Sequence, residues 1–475
     1  MRSICIFLAL GAIAVFASTP DEVEARLRMA LQIAREHNNR SLVAQVEKLG
    51  REFKGEVSAD REARLREVES AVGIDPGGWS MAGQPLFHGT AEMKAREPEL
   101  KAQLAAAMES DDAAKVRVVT REMLTVLGDQ AGVPDGRRAG VKAEPCALSE
   151  SAATKLFVDA LKTEGRRVRQ LSEGKPLPDQ MLRIYADLLN GMTIVRPSAE
   201  RHQPEALGDL DRLTNGLATI LLRLQQPMGF FPFPDLRGKN IRFGDMITRQ
   251  MKAGAVEVKD GWLITADPDG GSQFDTGVCG AALLKAGLLH GNETWKQAGL
   301  RAADWALTQK CCANFNYNAF SISLLAEAFR VTGDAKYLAG ALKKFRVGVA
   351  PGQAPNGRWM DAHNARTVYH QIILRGLGDL SWALAAERKE ERAEVDAVTK
   401  PAVKALLDEF DAMGMTVEAL PELQALAGLY PDDERLKIAV EVMAGSIVGK
   451  CSDGQRVKMG ASVAQLAAVV AGMKP

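Results

Sequence analysis

Two short segments of the sequence concentrate side chains that can move a proton or neutralise a negative charge. They are NFNYN at 314–318 and RWMDAHNARTVYH at 358–370. β-Elimination from a uronic-acid polymer needs a base near the substrate carboxylate and a cation or amide that neutralises the charge building there. Histidine suits the proton transfer because it changes charge near neutral pH. The catalytic candidates are His363, Tyr369, Tyr317 and Arg358, and the substrate-binding candidates in these segments are Asn316, Asn318, Arg366 and His370.

Carboxylates offer a second chemistry, because glycoside hydrolysis needs one carboxyl as proton donor and another as base or nucleophile. Asp275 in GSQFDTGVCG and Asp361 in RWMDAH are the catalytic candidates for it. Asp275 has an alternative role as a helix N-cap, because it precedes the apolar run TGVCGAALL. His370 has an alternative role in the core, because its helical register places it among apolar neighbours. The denser Asn/His/Arg/Tyr set favours elimination over hydrolysis.

Aromatic residues are few, yet three phenylalanines crowd the loop GFFPFPDLRG at 229–238. Its two prolines fit neither a helix interior nor a central strand, so the segment is predicted to be a rigid loop. Aromatic faces bind the apolar faces of sugar rings. Phe231, Phe233 and Trp359 are therefore candidate substrate-binding residues, whereas Phe230 is expected to plug the fold. The residues expected in the helix-packing core are Trp305, Tyr337 and Trp382.

A metal or organic cofactor has little support in the sequence. Asp267, Asp269 and Asp275 of ADPDGGSQFD carry oxygens that suit calcium, but their spacing matches no known calcium loop. The CxxC and HExxH motifs of zinc sites are absent from the sequence. We therefore expect no cofactor and a plain turn at this segment. The adjacent Cys311 and Cys312 form a strained vicinal disulfide, pair elsewhere or stay as buried thiols.

Long helical patterns joined by Gly and Pro loops must position these side chains. A 42-residue shift aligns Gly291 with Gly333 and the apolar positions around them, which predicts two copies of a helix–turn–helix unit. Such a hairpin buries its apolar face only by stacking on others. The exception is AVEVKDGWLITA at 255–266, where alternation around Asp260 and Gly261 predicts a β-hairpin.

The motifs VTGDAKYLAGALKKF and NYNAFSISLLAEAF, with the loop–helix alternation over residues 150–400, resemble the α/α-toroid superfamily. Six-hairpin glycosidases and α/α-barrel polysaccharide lyases belong to it. The resemblance implies an all-α ring of helical hairpins, here with a small β-hairpin insertion and an N-terminal helical accessory region. It also implies that the loops leading into the inner helices line one cleft, where the 42-residue shift sets Asp275 opposite Tyr317. The expected segments are a signal peptide (1–18), the helical accessory region (19–135), the toroid (148–400) and C-terminal helices that complete or cap it (401–475).

The bulk properties narrow the partners and the compartment. Lys+Arg and Asp+Glu both number 60 among 475 residues, so the basic excess of a nucleic-acid-binding protein is missing. Arg2 precedes a short apolar run and the small-residue site VFA, which is typical of a cleaved signal peptide, with an uncleaved anchor as the alternative. No later segment of the sequence is apolar enough to span a membrane. We expect a secreted or periplasmic protein.

Taken together, the patterns predict an exported enzyme that cleaves a carbohydrate polymer, with β-elimination on a uronic-acid polymer favoured over glycoside hydrolysis. The alternative is a non-catalytic envelope protein that binds glycan or protein through the toroid cleft, because the sequence holds no diagnostic catalytic motif.

Overall fold

The computed structural model describes residues 23, 27, 30–31, 34, 40–53, 59–71, 91–128, 148–178, 180–239, 241–267, 270–360, 364–384, 388–413, 415, 417–452 and 461–472. The first helices are α1 (Arg40–Glu52), α2 (Ala59–Ala71), α3 (Ala91–Glu109), α4 (Ala113–Leu127), α5 (Glu150–Thr163), α6 (Gly165–Ser172), α7 (Leu182–His202), α8 (Leu207–Leu224) and α9 (Ile241–Lys252). The remaining helices are α10 (Ser272–Leu289), α11 (Glu293–Thr308), α12 (Phe315–Thr332), α13 (Ala335–Gly348), α14 (Thr367–Ala383), α15 (Lys389–Met413), α16 (Leu420–Leu429), α17 (Glu434–Ser452) and α18 (Ala461–Gly472).

Six of these helices form a closed inner ring. Helix α7 packs on α10, and the contacts continue through α12, α14, α16 and α18 back to α7. An outer helix follows each of the first five inner helices: α8, α11, α13, α15 and α17. The sixth outer helix is α5, which packs on α18 and α7. The fold is an α/α toroid of six hairpins, as predicted, and α16 and α18 are part of the ring.

The turns of the two helical hairpins explain why the 42-residue repeat is recognisable in the sequence. Gly291 and Gly333 both have positive φ, 60° and 71°, a conformation that glycine adopts without steric cost. The next residue in each copy caps the following helix: Asn292 Oδ1 accepts a hydrogen bond from the Trp295 amide at 3.2 Å, and Asp334 accepts one from Lys336 at 3.0 Å. The predicted pair of helical hairpins is confirmed as α10–α11 and α12–α13.

The predicted β-hairpin is confirmed and belongs to a three-stranded antiparallel sheet. Strand β2 (Val258–Lys259) and strand β3 (Trp262–Leu263) are joined by Asp260 and Gly261, whose φ values of 51° and 82° fit a type I′ turn. Strand β1 (Phe233–Pro234) pairs with the other side of β3. The proline-rich loop thus contributes an edge strand, the position in a sheet where proline is tolerated.

Glycine allows the inner helices to approach closely where the functional side chains lie. A Cβ on Gly277 of α10 would come within 2.5 Å of the Phe320 carbonyl oxygen on α12. A Cβ on Gly376 of α14 would come equally close to the Ala319 carbonyl oxygen. The three helices therefore pack backbone against backbone, which fixes the side chains that project from them.

The chain divides into two compact units, one within Met1–Gln84 and Arg237–Met246, the other within Pro85–Leu236 and Ile247–Pro475. In the first, α1 and α2 pack through Leu42, Val46 and Leu65. The second holds the toroid and the α3–α4 hairpin. The expected signal peptide lies outside the described residues, and within the described part no helix is long and apolar enough to cross a bilayer.

The adjacent Cys311 and Cys312 are both free thiols, as is Cys279. Of the three predicted alternatives for the vicinal pair, the structure shows two reduced side chains. Burial raises the pKa of Cys311 and raises that of Cys312 to about 12, so both are held as neutral thiols.

Candidate active site

The inner ring encloses a cavity of about 680 Å³ to which all six inner helices contribute, here called the lumen. It opens towards the C-terminal ends of the inner helices, because its exposed wall residues include Leu288 and Leu289 in the last turn of α10 and Trp382 in the last turn of α14. Concave sites of this size hold small ligands or parts of polymers. The polar and charged residues in its wall are Asp187, Asn190, Thr193, Lys285, Ser323, Glu327, Arg330, Arg375, Asp379, Glu422 and Gln424.

A stack of side chains closes the N-terminal side of the lumen and forms its floor. The rings of Phe274 and Phe320 stack with centroids 3.9 Å apart. The guanidinium carbon of Arg183 lies 3.6 Å from the Phe274 centroid, and Phe233 lies 5.7 Å from the same guanidinium. Arg183 also binds both carboxylate oxygens of Asp275, at 2.9 and 2.7 Å. The floor is defined by Arg183, Phe274, Asp275 and Phe320.

Asp187 lies one turn after Arg183 on α7 and lines the lumen just above this floor. Its carboxylate has no hydrogen-bond or ion-pair partner among the described residues. Desolvation raises the pKa of Asp187 to about 6; the charges of Glu422 and Asp275 act in the same direction, and those of Arg375 and Arg183 oppose it. Asp187 is therefore protonated at mildly acidic pH, where an ordinary aspartate is ionised.

Glu422 on α16 supplies a second carboxylate with a different environment. Arg375 Nε on α14 donates to Glu422 Oε1 at 2.8 Å, and the Arg375 Nη2 contacts the same oxygen. Glu422 is only 3% exposed, and its other oxygen, Oε2, has no hydrogen-bond partner. Asp187 and Glu422 thus differ, the first being unpaired and the second ion-paired, and this is the environmental contrast that separates an acid from a base.

Further polar groups in the wall divide into paired and unpaired side chains. Ser323 donates its hydroxyl to Asp379, and Arg330 binds Glu327 at 3.0 Å. Lys285 lines the lumen and contacts no acidic group in the described part of the chain. A cation without a protein counter-ion in a concave wall is suited to an anionic ligand group.

Most of the residues predicted for the site lie at the N-terminal ends of the inner helices, beyond the floor, and are buried there. Asp275 belongs to the floor, and we call the remaining set the rim cluster: Phe231, Asn316, Tyr317, Asn318, Arg358, Trp359, Arg366 and His370. Phe233 and Tyr369 are partly exposed in the same region. Asp361, His363 and Asp269 lie outside the described residues. The Phe231 amide donates to Thr276 Oγ1 at 3.1 Å, so the loop at 229–238 contacts the N-terminal part of α10.

Trp359 and His370 are held by the core. Trp359 is fully buried, and its indole N–H donates to the Val349 carbonyl at 3.0 Å. His370 meets the indole edge to face, with centroids 5.2 Å apart, and donates Nε2–H to the Ala402 carbonyl at 2.8 Å. Burial lowers the pKa of His370 to about 4, so its imidazole is neutral at physiological pH.

The amides and cations of the rim cluster bind other buried groups. The Asn316 amide groups donate to Asn364 Oδ1 at 2.8 and 3.1 Å, and Asn318 Nδ2 donates to the Gly348 carbonyl at 2.8 Å. Arg358 pairs with Glu409. Burial also raises the pKa of Tyr317 well above its usual value. In this structure the cluster is an interlocked polar layer, and its roles in catalysis and binding stay predictions.

Two expectations were wrong. Asp275 does not cap α10, because the helix begins at Ser272 and Asp275 stands in its first turn, bound to Arg183. Trp382 is not in the core: it is 48% exposed and lines the lumen. Trp305 and Tyr337 are buried as predicted, and Phe230 plugs the fold against Trp305 with centroids 5.7 Å apart.

Sequence reasoning missed the polar wall of the lumen, above all Asp187, Arg375 and Glu422. Each stands inside an apolar helix with no flanking motif, as in YADLLN and LRGLGDL. A usable signal was present nevertheless: Arg183 and Asp187 are four apart, as are Arg375 and Asp379, so each pair shares one face of an otherwise apolar helix. Among the described residues, no group of three acidic, histidine or cysteine side chains could hold a metal ion.

No protein-family model matches the sequence, and no curated protein matches it. Solved structures with a similar arrangement include the unsaturated glucuronyl hydrolase from Streptococcus agalactiae, which is 13% identical with a TM-score of 0.44, the match covering 71% of this chain and 98% of that one. Another is an unsaturated glucuronyl hydrolase specific for heparin, 13% identical with a TM-score of 0.26, covering 54% and 83%. These values assign no reaction to this chain, and the toroid rests on its own closed ring of helices.

Proposed function

We propose that this protein cleaves a glycan by glycoside hydrolysis and that the lumen is its active site. The observation that carries the proposal is the pair of contrasting carboxyl groups in one cavity. Asp187 is unpaired, with its pKa raised to about 6, and Glu422 is a carboxylate bound by Arg375. Glycoside hydrolysis requires such a pair, one group giving a proton while the other is ionised.

The chemistry assigns one proton transfer to each carboxyl group. Asp187 donates its proton to the glycosidic oxygen as the bond to the anomeric carbon breaks. Glu422 takes a proton from the water whose oxygen attacks that carbon. The products are two sugars, one with a new reducing end; Glu422 then releases its proton to solvent and Asp187 takes one up, which restores both groups. Arg375 keeps Glu422 oriented, because its Nε binds only one of the two carboxylate oxygens, Oε1.

The substrate class follows from the charges around this pair. Lys285 and Arg375 are cations in the wall of the lumen, and Lys285 has no acidic partner among the described residues. A uronic-acid residue carries one carboxylate that these groups would bind. The proposed substrate is therefore a glycan that contains uronic acid, and the N-terminal leader pattern supports a secreted or periplasmic location.

Elimination at the rim is the competing reaction, and binding without turnover is the competing function. The described rim residues support elimination less well, because His370 is buried, neutral and committed to Ala402. Tyr317 is also buried, with a pKa raised further from that of a useful base. Asp361 and His363 belong to this alternative and are included in the test.

The experiment compares the products of the unmodified protein and three variants on a panel of uronic-acid glycans. Hydrolysis gives new reducing ends without ultraviolet absorbance, whereas elimination gives unsaturated ends that absorb. Asp187→Asn is expected to abolish product formation, while His363→Gln and Asp361→Asn are expected to retain it. Loss of product in the rim variants with retention in Asp187→Asn would move the active site to the rim. Glycan binding without any product would favour the non-catalytic function.

A further inference from the structure

The mouth of the lumen gathers exposed apolar side chains from three inner helices. The described chain has eight exposed large apolar residues, and four of them line this one cavity. They are Ile194 on α7, Leu288 and Leu289 on α10, and Trp382 on α14. A buried role is usual for tryptophan and leucine. Their concentration at one opening indicates a surface that a ligand covers.

Trp382 is held in place by the neighbouring inner helix. A Cβ built on Gly428 of α16 would lie 3.2 Å from Trp382 Cζ2 and 3.8 Å from Cη2. The six-membered ring of the indole therefore rests close to the backbone of α16, where a side chain in place of Gly428 would crowd it. The Ser381 carbonyl before it accepts a hydrogen bond from Arg392 Nη1 at 3.2 Å. An aromatic surface fixed in this way binds without a large loss of side-chain entropy.

We infer that Trp382 forms a sugar-binding platform at the mouth of the lumen, on which a residue of the glycan outside the reaction centre stacks. This inference rests on the proposed function for the identity of the ligand. Sugar rings present an apolar C–H face beside a belt of hydroxyl groups, so they bind aromatic faces flanked by polar groups. The mouth has an aromatic face in Trp382 and polar groups in the ion pair of Arg330 and Glu327, which lines the same cavity at the end of α12.

The charge pattern favours a carbohydrate over a second copy of the chain as the occupant. The wall that carries the exposed apolar residues also carries charged ones, among them Lys285, Arg330 and Asp379. A permanent protein interface is depleted of charge at its centre. The platform is also continuous with the cavity that holds Asp187 and Glu422, so a glycan chain that reaches these carboxyl groups must pass Trp382.

The test measures binding without turnover, in the Asp187→Asn background, with oligogalacturonides and hyaluronan oligosaccharides of two to eight residues. Trp382→Ala is expected to weaken binding of the longer oligosaccharides about three- to tenfold, by the usual worth of an aromatic contact, and disaccharide binding much less. Trp382→Phe should recover part of the loss. The matched control is Ile438→Ala, which removes an exposed apolar side chain on α17 that does not line the lumen.

Equal affinities of Trp382→Ala and its parent at every length, or no glycan binding by the parent, would overturn the inference. A dimer that dissociates on Trp382→Ala, seen by sedimentation, would also overturn it in favour of a protein interface. The proposed function fails separately: length-dependent binding that requires Trp382, in a protein that yields no product, would support the platform and reject the hydrolase.

Discussion

Arg183 and Asp187 lie one turn apart on α7 but have opposite electrostatic environments. Arg183 is bound through two nitrogens to Asp275 and covered by Phe274, whereas Asp187 faces the lumen without a partner in the described chain. One turn of one helix thus separates a satisfied structural ion pair from a carboxyl group free to react. This difference in environment determines what is expected of Asp187, of its pKa and of Arg375.

Replacing Asp187 with Asn should cost activity and increase stability. Loss of the proton donor is expected to lower kcat/KM by about 10²- to 10⁴-fold. The same change removes a desolvated charge, so the free energy of unfolding at pH 7.5 should rise by about 1 kcal/mol, allowing for the solvent that reaches the group. Urea denaturation and initial rates measure both effects. Asp209→Asn, at an exposed site on α8, is the control and should change neither.

The pH dependence of the reaction should report Asp187. Because its pKa is raised to about 6, the protonated fraction falls above that value, so kcat/KM should drop about tenfold per pH unit on the alkaline side. The folded protein binds this proton more tightly than the unfolded chain does, so the contribution of Asp187 to stability should decline as the pH rises from about 4 to about 6. A flat rate profile from pH 5 to pH 8 would contradict the assignment.

Removing Arg375 should shift the alkaline limb of the pH–rate profile, where kcat/KM falls, to higher pH. Arg375 opposes the rise in the pKa of Asp187 and binds the buried Glu422. Arg375→Met should therefore raise the apparent pKa of the limb and, by leaving Glu422 unpaired, destabilise the protein by about 2–4 kcal/mol. Arg375→Lys keeps the charge and should preserve the limb while losing part of kcat, because a lysine cannot reproduce the guanidinium geometry. A limb that stays in place in Arg375→Met would count against the coupling.

Breaking the pair of Arg183 and Asp275 should affect stability more than chemistry. Asp275→Asn leaves Arg183 without its carboxylate partner in the floor, with an expected cost of about 2–4 kcal/mol. The double variant Arg183→Met/Asp275→Leu should recover part of that loss, which a double-mutant cycle would show by chemical denaturation. Turnover per folded molecule should persist in Asp275→Asn; its disappearance, with the fold intact, would assign Asp275 the catalytic role predicted from the sequence.

His370 should make the protein sensitive to acid. Its pKa is lowered to about 4 in the fold, so the unfolded chain binds the proton more tightly between about pH 6.5 and pH 4. Stability should therefore be lost as the pH falls through that range, by about 2–3 kcal/mol for this group. His370→Gln is expected to remove the histidine contribution to this slope without changing substrate affinity. A raised KM with an unchanged slope would restore His370 as a substrate-binding residue.

The fold was predictable because its signals are local and repeated. The Gly291 and Gly333 turns use residue types with a definite backbone role, and Asp260 with Gly261 specifies a two-residue hairpin. The closure of six hairpins into a ring could not be predicted from the sequence, since helices such as α16 and α18 show no copy of the 42-residue unit.

The candidate site was less predictable, because its chemistry depends on the neighbours that the ring supplies. Nothing near Asp187 in sequence reveals that Glu422 shares its cavity, since the two carboxyl groups come from the first and fifth inner helices. Trp359 and Trp382 show the same limit. Both belong to the predicted toroid, yet packing buries the first and exposes the second.

The position of α5 early in the chain affects how the toroid folds during synthesis. This helix emerges from the ribosome before the other helices of the toroid, whereas its inner partner, α18, is the last of these helices to be synthesised. Domains normally fold as their chain is completed, and contacts between distant segments form slowly. Until α18 arrives, α5 and α7 expose the apolar faces that the finished ring buries. A stop codon before 461 would therefore leave a translation product prone to aggregation and proteolysis, rather than a toroid short of one helix.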